Sequence, residues 1–583
     1  MNNINFSHLP INRKEVSIRN WKELDVILFT GDAYVDHPSF GAAIIGRILE
    51  SQNLKVAIVP QPNWRDDLRD FKKLGKPKLF FAVTSGNMDS MVNHYTANLR
   101  LRSNDAYSID GKPNFRPDYA TTVYSIILKN LYPDIPIVIG GIEASLRRFT
   151  HYNFWSNSLK KSILKDSKAD LLIYGMAEKT LIELVENLKK NVKFKEIKNL
   201  RQTAFLQKKN DFLSKKWEII KLFSHKECLK NKIKFAKNFV KIEKESNRFL
   251  SNKRILQEFD NEILVVNPPN DSLSEKEMDK IYDLPFTRLP HPKYKNKIIP
   301  AYEMIKFSVT IHRSCFGGCS FCTISAHQGK QISSRSESSI LKEVKNITKM
   351  KDFKSYLSDV GGPSANMYKM NAKNLEICKK CESPSCIFPK ICKNLNTNHD
   401  NLIKLYKKIN KIPEIKKAFI GSGIRYDLFF DENQEIKNTK LEYLKQLLKF
   451  HVSGRLKVAP EHTNKKVLNC MRKPSFDLFM KFNKIFKIIN NKNNLKLSLI
   501  PYFISSHPES TENSMAELSE ITKKLNFKLE QVQDFTPTPM TLSSVMFYTE
   551  INPYTLKKVF VAKTKKDKLN QKKYFFWQKK NYN

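Results

Sequence analysis

Short apolar strands alternate with amphipathic helices in two long runs of this chain, and this alternation limits the folds that the chain can adopt. In the first run, residues 26–187, apolar strings such as VILFTGDAY from Val26 and IPIVIGG from Ile135 are separated by helical patterns such as FGAAIIGRILES from Phe40. Strands that are apolar on both faces and separated by helices are typical of a parallel sheet with helices on both sides. Residues 26–187 therefore predict a doubly wound parallel sheet.

The carboxyl ends of the predicted strands are the place where such sheets bind ligands. Six residues fall at these ends: Asp32, Asp36, His37, Gly140, Gly141 and Glu143. Cobalamin-binding domains have an Asp-x-His-x-x-Gly turn at the first strand end, whereas Asp36 and His37 are adjacent here and the spacing fails. The sequence does not name a ligand for this edge, and the glycine pair can equally pack a helix close to the sheet.

A second run of alternation begins at residue 305. Helical patterns such as DNLIKLYKKINKI lie between six predicted strands, which begin at Lys306, Ser355, Lys417, Leu456, Leu495 and Leu529. Six such units suit a partial (β/α)6 barrel, and a barrel-type sheet places functional residues at the C-terminal ends of its strands. The lysine-rich residues between the two runs show scattered helical periodicity and predict a helical connection or insertion.

These patterns divide the chain into four predicted segments. They are an N-terminal α/β domain (1–190), a lysine-rich helical insertion and linker (191–300), a partial barrel with an auxiliary cysteine cluster (301–528), and the last barrel strand with a basic C-terminal domain (529–583).

Three cysteines lie close together in the string IHRSCFGGCSFCTI, namely Cys315, Cys319 and Cys322. Thiolates this close on one loop can converge on one metal centre, and Gly317 and Gly318 let the loop bend tightly. Three ligands are one fewer than the four of a closed iron–sulfur or structural zinc site. The spacing therefore predicts a metal centre with one open coordination position, which is typical of a catalytic site.

Two other interpretations of this loop stay open. It can be a structural zinc site with His312 or His327 as the fourth ligand, or a chance group of buried thiols. Iron–sulfur is favoured because zinc loops usually pair two-cysteine knuckles, which the Cys-x3-Cys-x2-Cys spacing does not match. The loop follows the first strand of the second run, so we expect it on the C-terminal face of the barrel.

A second cysteine cluster, in the string CKKCESPSCIFPKIC, contains Cys378, Cys381, Cys386 and Cys392. Four thiolates suffice for a closed zinc site or an auxiliary 4Fe–4S cluster, and such short intervals seldom arise by chance. The spacing does not decide between iron and zinc, and His399 is a candidate substitute for one cysteine. Cys228 and Cys470 lie in helical patterns and are predicted to be buried thiols.

The chain is strongly basic, with a formal net charge of +43 at pH 7. Such a charge suits a polyanionic partner such as RNA, although lysines on solvated faces need no partner. With 41% hydrophobic residues the chain can bury large cores, yet no apolar stretch approaches the ~20 residues that span a membrane. The N-terminus lacks the apolar core of a signal peptide, so we expect a cytoplasmic protein with reduced thiols and no membrane partner.

Nine strings of this sequence, taken in order, resemble the YgiQ family of radical S-adenosylmethionine (SAM) proteins. They are GDAYVDHPSFGAAIIGRILE, GGIEASLRRF, SCFGGCSFC, SDVGGPSANMY, SPSCIFPKICKNL, SGIRYDL, LKVAPEHT, IPYFISSHP and QVQDFTPTPMTLS. The likeness runs from about residue 25 to about residue 560 and leaves out the lysine-rich segment. It implies an N-terminal α/β domain, a radical SAM partial barrel and a short C-terminal domain.

The resemblance also implies cofactors. It assigns a 4Fe–4S cluster to the three cysteines of the first loop, and Phe321 just before the third cysteine fits the superfamily pattern. SAM would chelate the fourth iron. Many radical SAM enzymes hold the SAM amino group with Gly-Gly-Glu after the second barrel strand, and here Gly361 and Gly362 are followed by Pro363. Backbone contact from the two glycines survives that change, whereas a carboxylate contact does not.

Two further strand-end residues are candidates for contact with SAM. Arg425 is expected to pair with the SAM carboxylate and Glu461 to hydrogen-bond a ribose, and each has a plain alternative as a salt bridge at the barrel rim.

The resemblance implies that one electron cleaves SAM reductively to a 5′-deoxyadenosyl radical, with a substrate that the sequence does not name. RNA and small molecules are both candidates. The alternatives are a cobalamin-linked radical SAM methyltransferase and a non-enzymatic RNA-associated protein with structural zinc. An electron donor such as flavodoxin or ferredoxin is the expected partner, and nucleic acid is a second candidate.

Overall fold

The structure is a computed structural model of the chain, and it describes residues 7–577 except residues 432, 434 and 528. Within these residues one large sheet organises the first half of the chain, and a series of parallel strands organises the second half. No described helix is both long and apolar enough to cross a membrane.

The strands of the first half are short and mostly buried. Those in its described residues are β1 (Val26–Thr30), β2 (Val56–Pro60), β3 (Phe80–Thr84), β4 (Ile137–Ile139), β5 (His151–Asn153), β6 (Ser158–Lys160), β7 (Leu171–Ile173), β8 (Thr203–Lys208), β9 (Glu218–Lys221), β10 (Lys253–Phe259) and β11 (Glu262–Val266).

Nine of these strands form one sheet in the order β2–β1–β3–β4–β7–β8–β11–β10–β9, while β5 and β6 pair as a separate hairpin. The first five strands are parallel. Strand β8 is antiparallel to β7, and β11 is antiparallel to both β8 and β10. The predicted α/β class is confirmed, but the sheet is mixed rather than wholly parallel.

Helices cover both faces of this sheet, which explains why β1 and β2 are buried along their whole length. They are α1 (Arg13–Ile18), α2 (Gly41–Ser51), α3 (Arg69–Lys72), α4 (Ser90–His94), α5 (Ala120–Leu131), α6 (Gly141–Leu146), α7 (Ile163–Ser167), α8 (Glu178–Lys189), α9 (His225–Lys230), α10 (Lys232–Asn247), α11 (Glu275–Tyr282) and α12 (Pro300–Ile305).

The lysine-rich segment differs from its prediction. The sequence predicts a helical insertion over residues 191–300, whereas the structure places β8–β11 there and continues the same sheet past residue 190. Helices α9 and α10, between β9 and β10, and α11 after β11 match the helical part of the prediction. The strand prediction failed here because β8 and β9 are short and end in exposed lysines, Lys208 and Lys221. Such strands do not show a clear alternation of apolar and polar residues.

The strands of the second half follow each other in chain order. In its described residues they are β12 (Ser308–Thr310), β13 (His312–Arg313), β14 (Ser333–Ser334), β15 (Tyr356–Leu357), β16 (Asp359–Gly361), β17 (Lys417–Ala418), β18 (Arg455–Glu461), β19 (Ser498–Ser505) and β20 (Gln531–Asp534).

All neighbouring strands of this series are parallel except the short pair β13–β14. Strand β12 pairs with β16, β15 pairs with β17, and β18, β19 and β20 pair in turn. A parallel bridge between Ile424 and Val458 joins the segment after β17 to β18. Strands β15 and β16 are two parts of one extended stretch, so the six strand positions that the sequence predicts are all present.

A helix follows most of these strands and packs on the outside of the series. The helices are α13 (Ile324–Gln328), α14 (Glu337–Thr348), α15 (Leu375–Lys379), α16 (Asp400–Ile409), α17 (Asn438–Gln446), α18 (Lys465–Met471), α19 (Phe476–Lys492), α20 (Glu512–Lys524), α21 (Leu542–Thr549) and α22 (Lys565–Lys573).

A shared apolar cluster joins the two halves and the C-terminal segment. It contains Phe235 and Phe239 of α10, Met471 of α18, and Val545 and Met546 of α21, all of them buried. Burial of such side chains contributes roughly 1.5–3 kcal/mol each. The lysine-rich segment is therefore part of the packed molecule and holds the second half against the first.

Candidate functional site

The three cysteines of the first cluster lie on a loop between β13 and α13. The backbone at Ser314 has a φ of 74°, and at Gly318 a φ of 61°. A Cβ atom at Gly318 would lie 2.3 Å from the carbonyl oxygen of Pro384, so only glycine fits this turn. The loop follows β12 and therefore stands at the carboxyl end of that strand, as the strand–helix alternation predicts.

Burial dominates the electrostatics of these thiols. It raises the pKa of Cys315, and it raises the pKa of Cys322 to about 12. A thiolate at Cys319 raises both pKa values further, while the charge of Arg425 lowers the pKa of Cys315. Nη1 of Arg425 also lies 3.3 Å from Sγ of Cys319. The three sulfur atoms are thus electrostatic neighbours beside one buried cation.

Arg425 is itself fixed by a carboxylate. Its Nε donates to Oδ1 of Asp427 at 3.0 Å, and its Nη2 donates to Oδ2 at 2.5 Å. Burial acts to raise the pKa of Asp427, but the guanidinium outweighs it and the pKa is lowered. The backbone N–H of Arg425 donates to Oδ1 of Asn366 at 2.8 Å, which fixes the chain at this point. A charged and immobile arginine therefore faces the cysteine loop.

The donor set of the loop fits a thiolate-bound cluster. A zinc ion gathers its thiolates at about 2.3 Å from one centre, whereas an iron–sulfur cluster distributes them over several iron atoms. The three cysteine thiolates are soft ligands, and the Arg425 guanidinium, whose Nη1 lies 3.3 Å from Sγ of Cys319, offsets part of their charge. Both features suit an iron–sulfur cluster.

The glycine pair at the end of β16, Gly361 and Gly362, is tightly enclosed. A Cβ atom at Gly361 would lie 2.4 Å from Oγ of Ser422, and one at Gly362 would lie 2.6 Å from Cε1 and 2.7 Å from Nε2 of His312. Both glycines line a cavity. Larger residues would fill the space in which the backbone meets a ligand, which is the reason that glycine suits this position.

The second cysteine cluster packs directly on the first loop. The backbone N–H of Cys386 donates to the carbonyl oxygen of Phe316 at 3.0 Å. The hydroxyl of Ser385 donates to the carbonyl oxygen of Gly317 at 2.7 Å, and it accepts from the N–H of Phe388 at 3.0 Å. The two cysteine loops therefore share backbone contacts, although 56 or more residues separate their cysteines in sequence.

The thiols of the second cluster also act on one another. Burial raises the pKa of Cys386 to about 11, and the charge of Lys330 opposes this rise. Burial likewise raises the pKa of Cys378, together with the charges of Cys381 and Cys392. Lys330 is buried, and its Nζ donates to the carbonyl oxygen of Ser383 at 2.6 Å. A lysine thus stands among the four thiols as their cationic neighbour.

A cavity of ≈ 630 Å³ lies between the two halves of the molecule. Apolar side chains from the sheet of the first half form one wall, among them Leu28, Phe80, Ala82, Val138 and Ile173. The opposite wall comes from the carboxyl ends of β12 and β16 and includes Val309, His312, Asp359, Gly361 and Gly362. Ligand cavities usually enclose about 300–1,000 Å³, so this one can hold an organic molecule.

Several buried polar atoms in the cavity wall have no protein partner. They are Oε2 of Glu178, Nη2 of Arg313 and Nδ1 of His327. Glu178 and Arg313 also form an ion pair across the two halves. Burial lowers the pKa of His312 to about 4, so its ring is neutral at pH 7. Buried polar atoms without a partner are costly, so these residues are held where they lie by the packing of the two halves.

The six strand-end residues of the first half fall into two groups. Gly140 and Gly141 line the cavity, as expected of residues beyond a strand end. The other four are engaged with protein groups: Asp32 pairs with Arg116, Asp36 with Arg47, His37 accepts from the N–H of Ser39, and Glu143 accepts from the N–H groups of Ser90 and Thr121. His37 in particular does not line the cavity.

The remaining predicted residues lie outside the cavity wall. Glu461 is buried, and its Oε1 lies 3.5 Å from Nζ of Lys473, which matches the alternative of a rim salt bridge. Phe321 packs edge-on against His507 with ring centroids 5.9 Å apart. Arg425 is occupied by Asp427 and Cys319, as described above. Contact of these three residues with SAM stays a prediction.

The sequence-predicted histidine and the two isolated cysteines have ordinary packing positions. His399 stacks on Tyr443 with ring centroids 4.4 Å apart. Cys228 is fully buried, as predicted. Cys470 is half-buried, and its Sγ lies 3.6 Å from Sδ of Met546.

Sequence reasoning missed Glu178 and Arg313 and assigned His312 only to a zinc alternative. His312 and Arg313 directly precede the cysteine loop, so their position beside it was a usable signal. Glu178 carries no such signal, because it starts α8 and meets Arg313 only after the two halves pack together.

Comparison with protein families finds two matches along the chain. The family model described as "Radical SAM N-terminal" matches residues 8–308. The model described as "Domain of unknown function (DUF3362)" matches residues 530–583.

Curated relatives match almost the whole chain. A UPF0313 protein of Bacteroides thetaiotaomicron is 59% identical and covers 98% of this chain and 94% of its own length. One of Porphyromonas gingivalis is 58% identical over 98% of this chain and 90% of its own length. One of the archaeon Methanocella arvoryzae is 45% identical over 95% of this chain and 90% of its own length.

Two similar solved structures are cobalamin-bound radical enzymes. The radical SAM methyltransferase TsrM from Kitasatospora setae, with cobalamin and a [4Fe-4S] cluster bound, has a TM-score of 0.49 at 11% identity, covering 89% of this chain and 74% of its own. The cobalamin-dependent enzyme OxsB, with aqua-cobalamin bound, has a TM-score of 0.48 at 11% identity, covering 96% of this chain and 57% of its own. Likenesses this distant say nothing about what the present chain binds.

The relatives settle the family. The first of them shares more than half of its residues with this chain over nearly its full length, and the N-terminal family model covers about half of the chain. The predicted resemblance is confirmed: the chain belongs to the UPF0313 family, which corresponds to the YgiQ family of radical SAM proteins.

Proposed function

We propose that this protein is a radical SAM enzyme that holds a 4Fe–4S cluster through Cys315, Cys319 and Cys322. The observation that carries the proposal is the position of the three thiols. They lie on one loop at the carboxyl end of a parallel strand, beside the Arg425 guanidinium, and Thr323, next to Cys322, lines the same cavity as Gly361 and Gly362.

When bound, the cluster and SAM together would supply a 5′-deoxyadenosyl radical by one-electron reductive cleavage. The residues of this chain have separate tasks around that chemistry. The thiols bind iron, and the Arg425 guanidinium offsets thiolate charge at 3.3 Å. Gly361 and Gly362 leave backbone groups open to SAM, and the apolar strands of the first half exclude water from the cavity.

Anaerobic reconstitution tests this proposal. The wild-type protein should bind about four iron atoms and as much sulfide at the first loop. Adding SAM should change the electron paramagnetic resonance signal of the reduced protein, and reduction should release 5′-deoxyadenosine. A protein that binds no cluster, or that yields no 5′-deoxyadenosine with a full cluster, contradicts the proposal.

The matched variants are Cys319→Ala and Cys470→Ala. Cys319 lies beside Arg425, whereas Cys470 is a half-buried thiol near Met546. We expect Cys319→Ala to abolish the SAM-dependent signal and Cys470→Ala to keep it. Equal effects of the two substitutions would show that general damage to the fold is responsible.

We further propose that Cys378, Cys381, Cys386 and Cys392 form an auxiliary metal site. The fold of the loop supports it, because the N–H of Cys381 donates to the carbonyl oxygen of Cys378 at 3.1 Å and the N–H of Cys392 donates to that of Cys386 at 2.8 Å. Metal and sulfide analysis of Cys378→Ser protein tests it: iron and sulfide should fall together if the site holds a cluster, and zinc alone should fall if it holds zinc. An unchanged metal content contradicts the site.

A cobalamin-linked methyltransferase is the second candidate function. The cavity favours it because its lining includes Gly86, Gly140 and Gly175, which follow the carboxyl ends of β3, β4 and β7, where α/β sheets bind ligands. His37 does not line the cavity, so any cobalamin would lack this histidine as a cobalt ligand. Cobalt analysis, and the visible spectrum after incubation with hydroxocobalamin, decide this candidate.

We also propose two partners for this protein, an electron donor and a nucleic acid. A flavodoxin or ferredoxin would supply the electron, and the charge of +43 leaves RNA as a candidate substrate. The competing non-enzymatic function predicts stoichiometric zinc without sulfide and a steep salt dependence of RNA binding. The same metal analysis therefore separates the enzyme from the zinc protein.

A further inference from the structure

Buried arginines of this chain are nearly all paired with a carboxylate. Within the described residues, ion pairs hold eight of them: Arg47, Arg116, Arg147, Arg288, Arg313, Arg335, Arg425 and Arg472. Arg254 has no such pair, but it donates to the side chains of Asn199 and Asn267 and to backbone carbonyl oxygens. This pattern follows from the cost of burying a charge without a partner.

Arg148 departs from the pattern. Its side chain is only 2% exposed, and no described carboxylate pairs with it. It donates to the carbonyl oxygen of Ser145 at 2.6 Å and to Oγ of Ser246 at 3.2 Å, while its Nε has no partner. Burial lowers its pKa to about 10, so the guanidinium remains charged at pH 7. A buried cation is thus kept without a counter-charge.

A small pocket of ≈ 110 Å³ adjoins this arginine. A single water needs only ~10–15 Å³, so the pocket has room for a larger group. Five basic residues are part of its lining, namely Arg148, Lys179, Arg248, Arg313 and Lys330, and its one lining carboxylate among the described residues is the exposed Asp271. Nη2 of Arg313 also lacks a partner.

The pocket adjoins the large cavity between the two halves. Five residues line both spaces: Gly175, Met176, Arg313, His327 and Gln328. The pocket wall also includes Ser325, whose hydroxyl donates to the carbonyl oxygen of Cys315 at 3.0 Å. Arg148 and two residues on either side of the cysteines, Ser314 and Ser325, therefore border the same pocket.

We propose that this pocket, with Arg148 as its centre, binds an oxyanion group of the substrate, a phosphate or a carboxylate. A guanidinium matches both groups, because its planar fork donates two parallel hydrogen bonds to a pair of oxygen atoms. An anion in the pocket would supply the counter-charge that Arg148 lacks among the described carboxylates. The assignment of the anion to the substrate rests on the proposed function, whereas the prediction that the pocket binds an anion does not.

Titration calorimetry of the full-length protein, without iron and SAM, tests the site. Inorganic phosphate and acetate are titrated separately at constant ionic strength in chloride, and the stronger of the two identifies the group. We expect saturable binding of one of them by the wild-type protein, and binding about tenfold weaker or worse in Arg148→Met. Saturation by neither anion, or equal binding by the variant, overturns the proposal.

Thermal unfolding distinguishes a binding arginine from a structural one. Arg148→Met removes a buried charge without a counter-charge, so its unfolding midpoint should stay the same or rise. The matched control Arg254→Met removes a fully bonded arginine and should lower the midpoint while leaving anion binding unchanged. A loss in Arg148→Met as large as that in Arg254→Met, including a failure to fold, shows that Arg148 is structural and overturns the proposal.

The two proposals can fail independently. If the protein binds the anion but yields no 5′-deoxyadenosine, the proposed radical chemistry is contradicted and the proposed anion pocket is supported. If the reconstituted enzyme cleaves SAM but binds neither phosphate nor acetate, the proposed anion pocket is contradicted and the proposed radical chemistry is supported.

Discussion

At the scale of single residues, Arg425 has the most demanding position in the candidate site. It is buried between the carboxylate of Asp427 and the thiol of Cys319. Removing one member of a buried ion pair leaves the other charge uncompensated, which usually costs about 3–5 kcal/mol. The residue therefore links the stability of the fold to the charge of the cysteine loop.

We predict that Arg425→Gln lowers the free energy of unfolding by about 3–5 kcal/mol and reduces iron uptake, because both Asp427 and the thiolates lose their cation. The double variant Arg425→Gln/Asp427→Asn removes both charges, so it should recover most of the stability but not the iron. Urea unfolding and iron analysis measure the two effects. Recovery of both by the double variant would show that Arg425 acts on the fold alone.

The glycine pair provides a second residue-scale prediction. Gly362→Ala would place a methyl group 2.6–2.7 Å from the ring of His312, so the ring must move and the cavity wall changes shape. We expect a loss of about 1–3 kcal/mol in stability and weaker binding of SAM. Gly423→Ala is the matched control, since its nearest atom would be the carbonyl oxygen of Lys457 at an ordinary 3.7 Å. Comparable SAM affinities of the two variants would remove Gly362 from the site.

At the scale of elements, the two cysteine loops form one unit. The hydroxyl of Ser385 joins them, because it donates to the carbonyl oxygen of Gly317 and accepts from two N–H groups of its own loop. The position of the first loop thus depends on a segment that lies more than sixty residues further along the chain.

We predict that Ser385→Ala lowers the free energy of unfolding by about 1–3 kcal/mol, because it leaves buried hydrogen-bonding groups without a partner. Iron bound at the first loop should fall with it, as the loop loses its support. Ser338→Ala, at an exposed serine, should change stability by less than about 0.5 kcal/mol. Denaturant unfolding and iron analysis of both variants check this, and full iron content in Ser385→Ala would show that the loops are independent.

At the scale of the whole molecule, burial of neutral histidines makes the fold sensitive to acid. Burial lowers the pKa of His151, His399 and His462 to about 3 and that of His451 to about 4. An unfolded histidine binds a proton below about pH 6.5, whereas these folded histidines stay neutral. The unfolded chain therefore binds more protons, so stability falls as pH falls from about 6.5 towards 4.

We predict that each such histidine lowers the free energy of unfolding by about 1.4 kcal/mol per pH unit below about pH 6.5. His399→Phe removes one of them and keeps an aromatic ring against Tyr443. Its stability should fall less steeply with acid, by about 1.4 kcal/mol per pH unit. Urea unfolding between pH 7.5 and 5 measures the slopes, and identical slopes for variant and wild type would contradict the prediction.

The sequence predicts the local parts of this protein well. The spacing of apolar residues predicts the parallel strands of the first sheet and the six strand positions of the second half. This works because the apolar pattern of one strand or helix lies within about ten neighbouring residues. The spacing of Cys315, Cys319 and Cys322 places three thiols on one loop for the same reason. Where lysines obscure the period, as in β8–β11, the prediction fails.

By itself, the sequence determined the alternating architecture, the two cysteine loops and the family to which the chain belongs. Only the tertiary structure decided which distant groups meet. The pairing of Arg425 with Cys319, the ion pair of Arg313 with Glu178, and the isolation of Arg148 all depend on packing between segments far apart in sequence. Charge and hydrogen bonding act through space over a few ångströms, so the cavity and its basic pocket exist only once both halves have folded together.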